Sequence, residues 1–96
     1  MKNALKYIYD PIKNEKLKEE RGVTFEDMIT AIETGGLLSV RPHHNPAKYP
    51  MQEVLIIEWE EYVYLVPCVR QGEVYVLKTV YPSRRATAQY LNKEEE

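Results

Sequence analysis

The hydrophobic period of this chain changes near Leu37, and that change limits the folds it can adopt. Before Leu37, apolar side chains recur three and four residues apart, which predicts an amphipathic helix. After it, residues 52–59 and 62–69 alternate between two faces, as strands of a sheet do. Because helices and strands occupy separate stretches, we predict an α+β fold with helices on one face of an antiparallel sheet. The helical positions are Phe25, Met28, Ile29 and Ile32.

Capping signals mark two N-terminal helices. Asp10-Pro11 supplies an N-cap carboxylate and a proline for the first helical turn, and Gly22 ends that helix. Residues 24–27 form a variant capping box with aspartate in its last position, and Gly35-Gly36 ends the second helix. The segment 7–9 is predicted to be a short strand or an extended arm.

Four strands and a closing helix complete the predicted fold. Residues Glu60-Glu61 form the turn of a hairpin, and Ser83 begins a helix that ends at Leu91. The strands are predicted at 37–40, 52–59, 62–69 and 74–81. The residues predicted to be mostly buried are Phe25, Met28, Ile29, Ile32, Leu55, Ile57, Val63 and Leu65.

Length and composition indicate one globular domain spanning 1–96. The chain has 96 residues, of which 44% are hydrophobic and 29% charged, so it has room for one core. The longest apolar run, Val54 to Ile57, is far too short to cross a membrane. No secretory signal is visible behind Met1 to Lys6, and we therefore expect a cytoplasmic protein. The lone Cys68 excludes an internal disulfide and a cysteine-rich zinc site.

Charge is unevenly distributed along a nearly neutral chain. The formal net charge is −2, and we expect Glu94 to Glu96 to belong to a disordered acidic tail at 93–96. Residues 68–90 carry Arg70, Lys78, Arg84 and Arg85 against one acid. Such a segment can bind phosphate locally without the broad affinity of a basic protein.

The most informative segment is 77–87, where a strand runs directly into a helix. It places Lys78 before the helix and Ser83, Arg84 and Arg85 at its N-terminus. Free backbone N–H groups and the helix dipole beside guanidinium groups favour an anion. The alternative is a Ser83 cap followed by two solvated arginines.

Two other features of the sequence each allow a structural and a functional interpretation. His43-His44 can be solvated loop residues or a general acid or base, whereas adjacent residues on an extended segment seldom ligate one metal. Tyr62 and Tyr64 share one strand face and can either stack RNA bases or cover a half-buried sheet.

Several short motifs together resemble a known family. They are Asp10 with Lys13 and Asn14, the run 20–27, and Arg84-Arg85-Ala86-Thr87. In this order and spacing they resemble the BrnT-type toxins of bacterial type II toxin–antitoxin modules. The chain has Arg21 where that family usually has histidine, and Pro82-Ser83 where it often has Ser-Ala.

The resemblance implies a fold related to the RelE-like ribonucleases and RNA cleavage that halts translation. It also implies a cognate antitoxin in a hetero-oligomer. Metal-free cleavage needs cations at the phosphate and groups that move protons, so we expect no cofactor and no metal. The candidate catalytic residues are Arg84, Lys78, Lys13 and His43, and the candidate RNA-binding residues are Arg85, Ser83, Arg70 and Tyr64. The alternative is a non-catalytic toxin-like module that binds an antitoxin or nucleic acid.

Overall fold

The computed structural model describes residues 6–92, so the tail predicted at 93–96 lies outside the described residues. That part of the chain contains six strands and three helices. In chain order they are β1 Lys6–Ile8, α1 Pro11–Arg21, α2 Phe25–Glu33, β2 Leu37–Pro42, β3 Gln52–Trp59, β4 Tyr62–Gln71, β5 Val74–Leu77, β6 Tyr81–Pro82 and α3 Arg84–Leu91.

The caps of α1 and α2 are those predicted. The Asp10 side chain accepts from the Ile12 N–H at 2.9 Å, and Gly22 ends α1 in the left-handed conformation with φ 73°. In α2, the Thr24 hydroxyl accepts from the Asp27 N–H while the Asp27 carboxylate accepts from the Thr24 N–H, each at 3.0 Å. Both helix starts are therefore set by local sequence.

The sheet is mixed, which corrects the prediction of four antiparallel strands. Its order is β1-β5-β4-β3-β2, with β6 pairing to β4. Strands β2 to β5 pair antiparallel, whereas β1 pairs parallel to β5, with Tyr7 opposite Tyr75. The N-terminal segment thus extends the sheet at its β5 edge.

A one-residue bulge divides the strand predicted at 74–81 into β5 and β6. Cys68 lies opposite Leu77, but Leu65 lies opposite Tyr81, so three steps along β4 face four steps on the other strand. Both Leu77 and Val80 enter the same core, three residues apart rather than two. The extra residue interrupts the pleat because side chains of an unbroken strand alternate between faces.

Helices cover both faces of the sheet. Helices α1 and α2 cover the larger core, whereas α3 lies on the opposite face, where Ala86 packs against Ile56 and Val63. Val63 and Leu65 therefore pack with α3 and not with the N-terminal helices, although Val63 is buried as predicted. The larger core contains Leu17, Val23, Phe25, Met28, Ala31, Leu55, Ile57, Val66, Cys68, Tyr75, Leu77 and Val80.

The end of α2 approaches β3 closely at Gly36. A Cβ at Gly36 would lie 2.6 Å from the Glu58 carbonyl oxygen and 2.9 Å from that of Ala31, so only glycine fits here. Ile29 and Ile32 are half-buried against the larger core. Among residues 6–92, no helix combines the length and the apolar character needed to cross a membrane.

Candidate functional site

The first turn of α3 is fixed to the start of β4 by paired hydrogen bonds. The Ser83 N–H donates to the Val63 carbonyl oxygen at 2.9 Å, and the Val63 N–H donates to the Thr87 hydroxyl at 2.9 Å. The Thr87 hydroxyl in turn donates to the Ser83 carbonyl oxygen at 2.8 Å. The Ser83 hydroxyl caps the helix by accepting from the Ala86 N–H at 3.0 Å. This end of α3 is thereby held in one position.

The motif Arg84-Arg85-Ala86-Thr87 divides into exposed and buried halves. Ala86 and Thr87 are 8% and 5% exposed, whereas Arg84 and Arg85 are exposed. The buried pair anchors the helix, and the arginines remain available to a ligand. We call Lys78, Ser83, Arg84 and Arg85 the basic site.

Lys78 lies on the segment that joins β5 to the bulge. Its N–H donates to the Pro67 carbonyl oxygen at 2.9 Å, and its side chain is exposed. Pro67, which pairs with Lys78, and Val63, which pairs with Ser83, are four residues apart on β4, or about 13 Å of strand rise. The long side chains of Lys78 and Arg84 can bring their charged groups closer together than this. The turn Glu60-Glu61 directly precedes β4.

Arg21 stabilises the bulge between β5 and β6, a role that was not predicted from the sequence. Its guanidinium donates to the carbonyl oxygen of Val80, which is fully buried. Asn14 and Leu17 are the buried residues of α1, and Arg21 follows on the same helical stripe. That spacing is the signal that could have identified Arg21 as facing the sheet.

Arg70 lies far from Ser83 and from the two arginines of the basic site. Its Nε donates to the Gly72 carbonyl oxygen at 3.1 Å, and its guanidinium lies 5.3 Å from the centre of the Tyr75 ring. The Tyr75 hydroxyl donates to the Glu53 carboxylate at 3.1 Å, and burial and this carboxylate raise the pKa of Tyr75. Val63 and Arg70 are separated by seven residues of β4, about 23 Å.

Tyr64 and Lys13 lie on the side of the sheet away from α3. Tyr64 is half-buried and packs against the larger core, and its pKa is raised by burial and by Glu60. Lys13 is exposed on α1, which covers that same face. The sheet therefore separates both residues from Arg84.

His43 belongs to a cluster of three rings in the loop after β2. Its ring centre lies 4.2 Å from that of His44 and 4.5 Å from that of Tyr49. The His43 N–H donates to the Gln52 carbonyl oxygen at 3.0 Å, which places His43 beside the first residue of β3. Val63 pairs near the other end of β3, opposite Glu58.

The structure therefore places Ser83, Arg84 and Arg85 together at the start of α3, with Lys78 about 13 Å away along β4, and leaves the other four candidates elsewhere. Among residues 6–92, no group of three or more histidine, cysteine, aspartate or glutamate residues could hold a metal ion. Comparisons with protein-family models, with curated proteins and with solved structures found no match in any of the three.

Proposed function

We propose that this protein is the toxin of a type II toxin–antitoxin module and cleaves RNA without a metal at the basic site. The observation that carries the proposal is the start of α3, where two exposed arginines are the first residues of a capped and anchored helical turn. The motif resemblance supports the same conclusion, since Arg84-Arg85-Ala86-Thr87 is one of its elements.

The proposed chemistry assigns charge stabilisation to arginine. Attack of the RNA 2′-oxygen on the adjacent phosphorus forms a phosphorane, and departure of the 5′-oxygen leaves a cyclic phosphate. Arg84 stabilises the added negative charge, with Arg85 as a second donor, and Lys78 adds positive charge. Guanidinium suits this role because its planar fork can donate to two phosphate oxygens.

His43 does not serve the same phosphate as Arg84 in this proposal. From Glu53 to Glu58, β3 rises about 17 Å, and His43 and Ser83 pair near its opposite ends. Proton transfer is therefore left to water or to groups at the basic site.

A non-catalytic binding module is the second candidate function, and Arg21 favours it. This residue stands where the resembling family usually has histidine, and its guanidinium donates to a backbone carbonyl. An arginine bonded in this way to a buried segment of the backbone supports the fold.

Inducible expression in a bacterium tests the two candidates. Growth and RNA integrity are followed for the wild type, for Arg84→Ala and for the matched control Lys16→Ala, which removes an exposed cation from α1. The nuclease proposal expects growth arrest and RNA loss with the wild type and the control, but not with Arg84→Ala. Intact RNA in all three cultures would favour the binding module.

A further inference from the structure

We propose that the loop 43–51 binds an unpaired base of single-stranded RNA by stacking on His44. We call this segment the ring loop. The inference rests on the proposed function, because it names a place where the RNA substrate is held away from the cleaved phosphate.

Two rings of this loop already form a stack. The ring of His43, which is half-buried, lies 4.2 Å from that of His44 at an interplanar angle of 28°. The Tyr49 ring also lies against His43, at 4.5 Å and a tilted interplanar angle of 46°. Because His44 is exposed, a nucleobase can stack on it and extend the pair. Aromatic side chains of this kind bind bases of any sequence because every base has a π-face.

The charges around the ring loop suit a polyanion. Residues 34–52 contain no aspartate or glutamate. Lys48 Nζ lies 5.5 Å from the centre of the Tyr49 ring, so a cation lies beside a ring that contacts His43. Arg41 donates to the Tyr90 hydroxyl at 2.9 Å and adds a second cation close by. Phosphates on either side of a stacked base would therefore meet positive charge.

The loop is held in shape before any ligand arrives. The Asn45 N–H donates to His43 Nδ1 at 3.0 Å, and the Tyr49 N–H donates to the Asn45 carbonyl oxygen at 3.0 Å. At its other end, the Arg70 N–H donates to the Met51 carbonyl oxygen at 2.8 Å. Binding costs less conformational entropy when the site is already formed.

The ring loop and the basic site can contact one RNA strand. Arg41, two residues before His43, lies on the sheet face that α3 covers, because its guanidinium donates to the Tyr90 hydroxyl. Helix α3 runs from Arg84 at the basic site to Tyr90, which contacts Arg41, over a length of about 9 Å. A single strand bound at Arg84 therefore needs only a few nucleotides to reach His44.

Fluorescence anisotropy with labelled oligomers tests this inference. The probes are a short 2′-O-methyl oligoadenylate, which lacks the cleavable hydroxyl, and an abasic oligomer of the same length and charge. We expect the oligoadenylate to bind more tightly than the abasic oligomer. His44→Ala should weaken oligoadenylate binding about tenfold, with little effect on the abasic oligomer. His44→Phe, which keeps a flat ring, should restore most of the affinity.

The outcomes separate this inference from the proposed nuclease activity. Binding uses a probe that cannot be cleaved, so base-dependent binding lost in His44→Ala supports the inference even if no RNA is cut. With cleavable RNA, His44→Ala should raise KM and leave kcat nearly unchanged. Equal binding of both probes, equal binding by wild type and His44→Ala, or no binding of either probe would overturn the inference. The last result is expected if the ring loop serves a protein partner.

Discussion

At the scale of single residues, the hydroxyl of Thr87 stabilises the position of the start of α3 on the sheet. Its hydroxyl satisfies a buried backbone N–H at Val63 and also bonds to the Ser83 carbonyl oxygen. A buried N–H left without a partner costs about 1–3 kcal/mol. Thr87→Val should therefore lower the free energy of unfolding by about that amount, measured by urea denaturation. Thr87→Ser keeps the hydroxyl and serves as the control; equal stability of the two variants would contradict this account.

Arg84 is the residue on which the proposed catalysis depends. Removing one donor to a charged transition state typically lowers the rate about 10²–10³-fold, and we expect that loss for Arg84→Ala in an RNA cleavage assay. Arg84→Lys should recover part of the rate because it keeps the charge but loses the planar fork. Folding should change little, since Arg84 is exposed. A folded Arg84→Ala variant with the wild-type rate would exclude the mechanism, and loss of cleavage in EDTA would exclude its metal-free form.

Cys68 gives the protein a measurable pH dependence. Burial raises the pKa of this thiol to about 12 from its ordinary value of 9.0. Above pH 9 the unfolded thiol loses its proton while the folded thiol keeps it, so stability falls as pH rises. Between pH 8 and pH 10 this loss should reach about 1 kcal/mol in urea denaturation. Cys68→Ala should show a smaller loss over the same range; an identical loss would assign the effect to other groups.

At the scale of secondary-structure elements, the β3–β4 turn is formed by residues poorly suited to it. Glu60 and Glu61 have φ of 53° and 67°, the left-handed values of a two-residue hairpin turn that favours asparagine and glycine. Glu60→Gly should therefore stabilise the protein by about 1 kcal/mol, measured by thermal or urea unfolding. Glu73→Gly makes the same chemical change in the β4–β5 turn, at an exposed residue without positive φ. Glu73→Gly should not stabilise the protein. An equal increase in stability in both variants would indicate that the lost charge, and not the backbone conformation, causes the effect.

The helices and β3 could be predicted from local sequence, whereas the edges of the sheet could not. Capping residues such as Thr24 and Asp27 act on their own backbone, so their effect is visible in a short window. The parallel pairing of β1 joins Tyr7 to Tyr75 across most of the chain, and no local pattern encodes it. In the site, the cap at Ser83 was predictable, but the contact from Arg21 to Val80 depends on tertiary packing.

At the scale of the whole molecule, helices on both faces leave the start of α3 open at the surface. We expect a cognate antitoxin to cover the basic site with an acidic or helical segment and to remove the phosphate site by competition. Added salt should then weaken binding, chiefly by lowering the association rate constant, and should also raise the dissociation rate constant, as measured by surface plasmon resonance. A pull-down from the native host that recovers no small partner would count against this prediction.

The bulge between Leu77 and Tyr81, more than the identity of the residues within it, sets the position of α3. If the pairing of Cys68 with Leu77 continued without the bulge, Val80 would stand opposite Leu65 and turn away from the core that it now fills. Ser83 would then fall opposite Tyr62 instead of Val63, and both arginines would shift along the sheet with it. Substitutions at Lys78 and Thr79 that preserve the bulge should therefore leave Ser83 and both arginines in place.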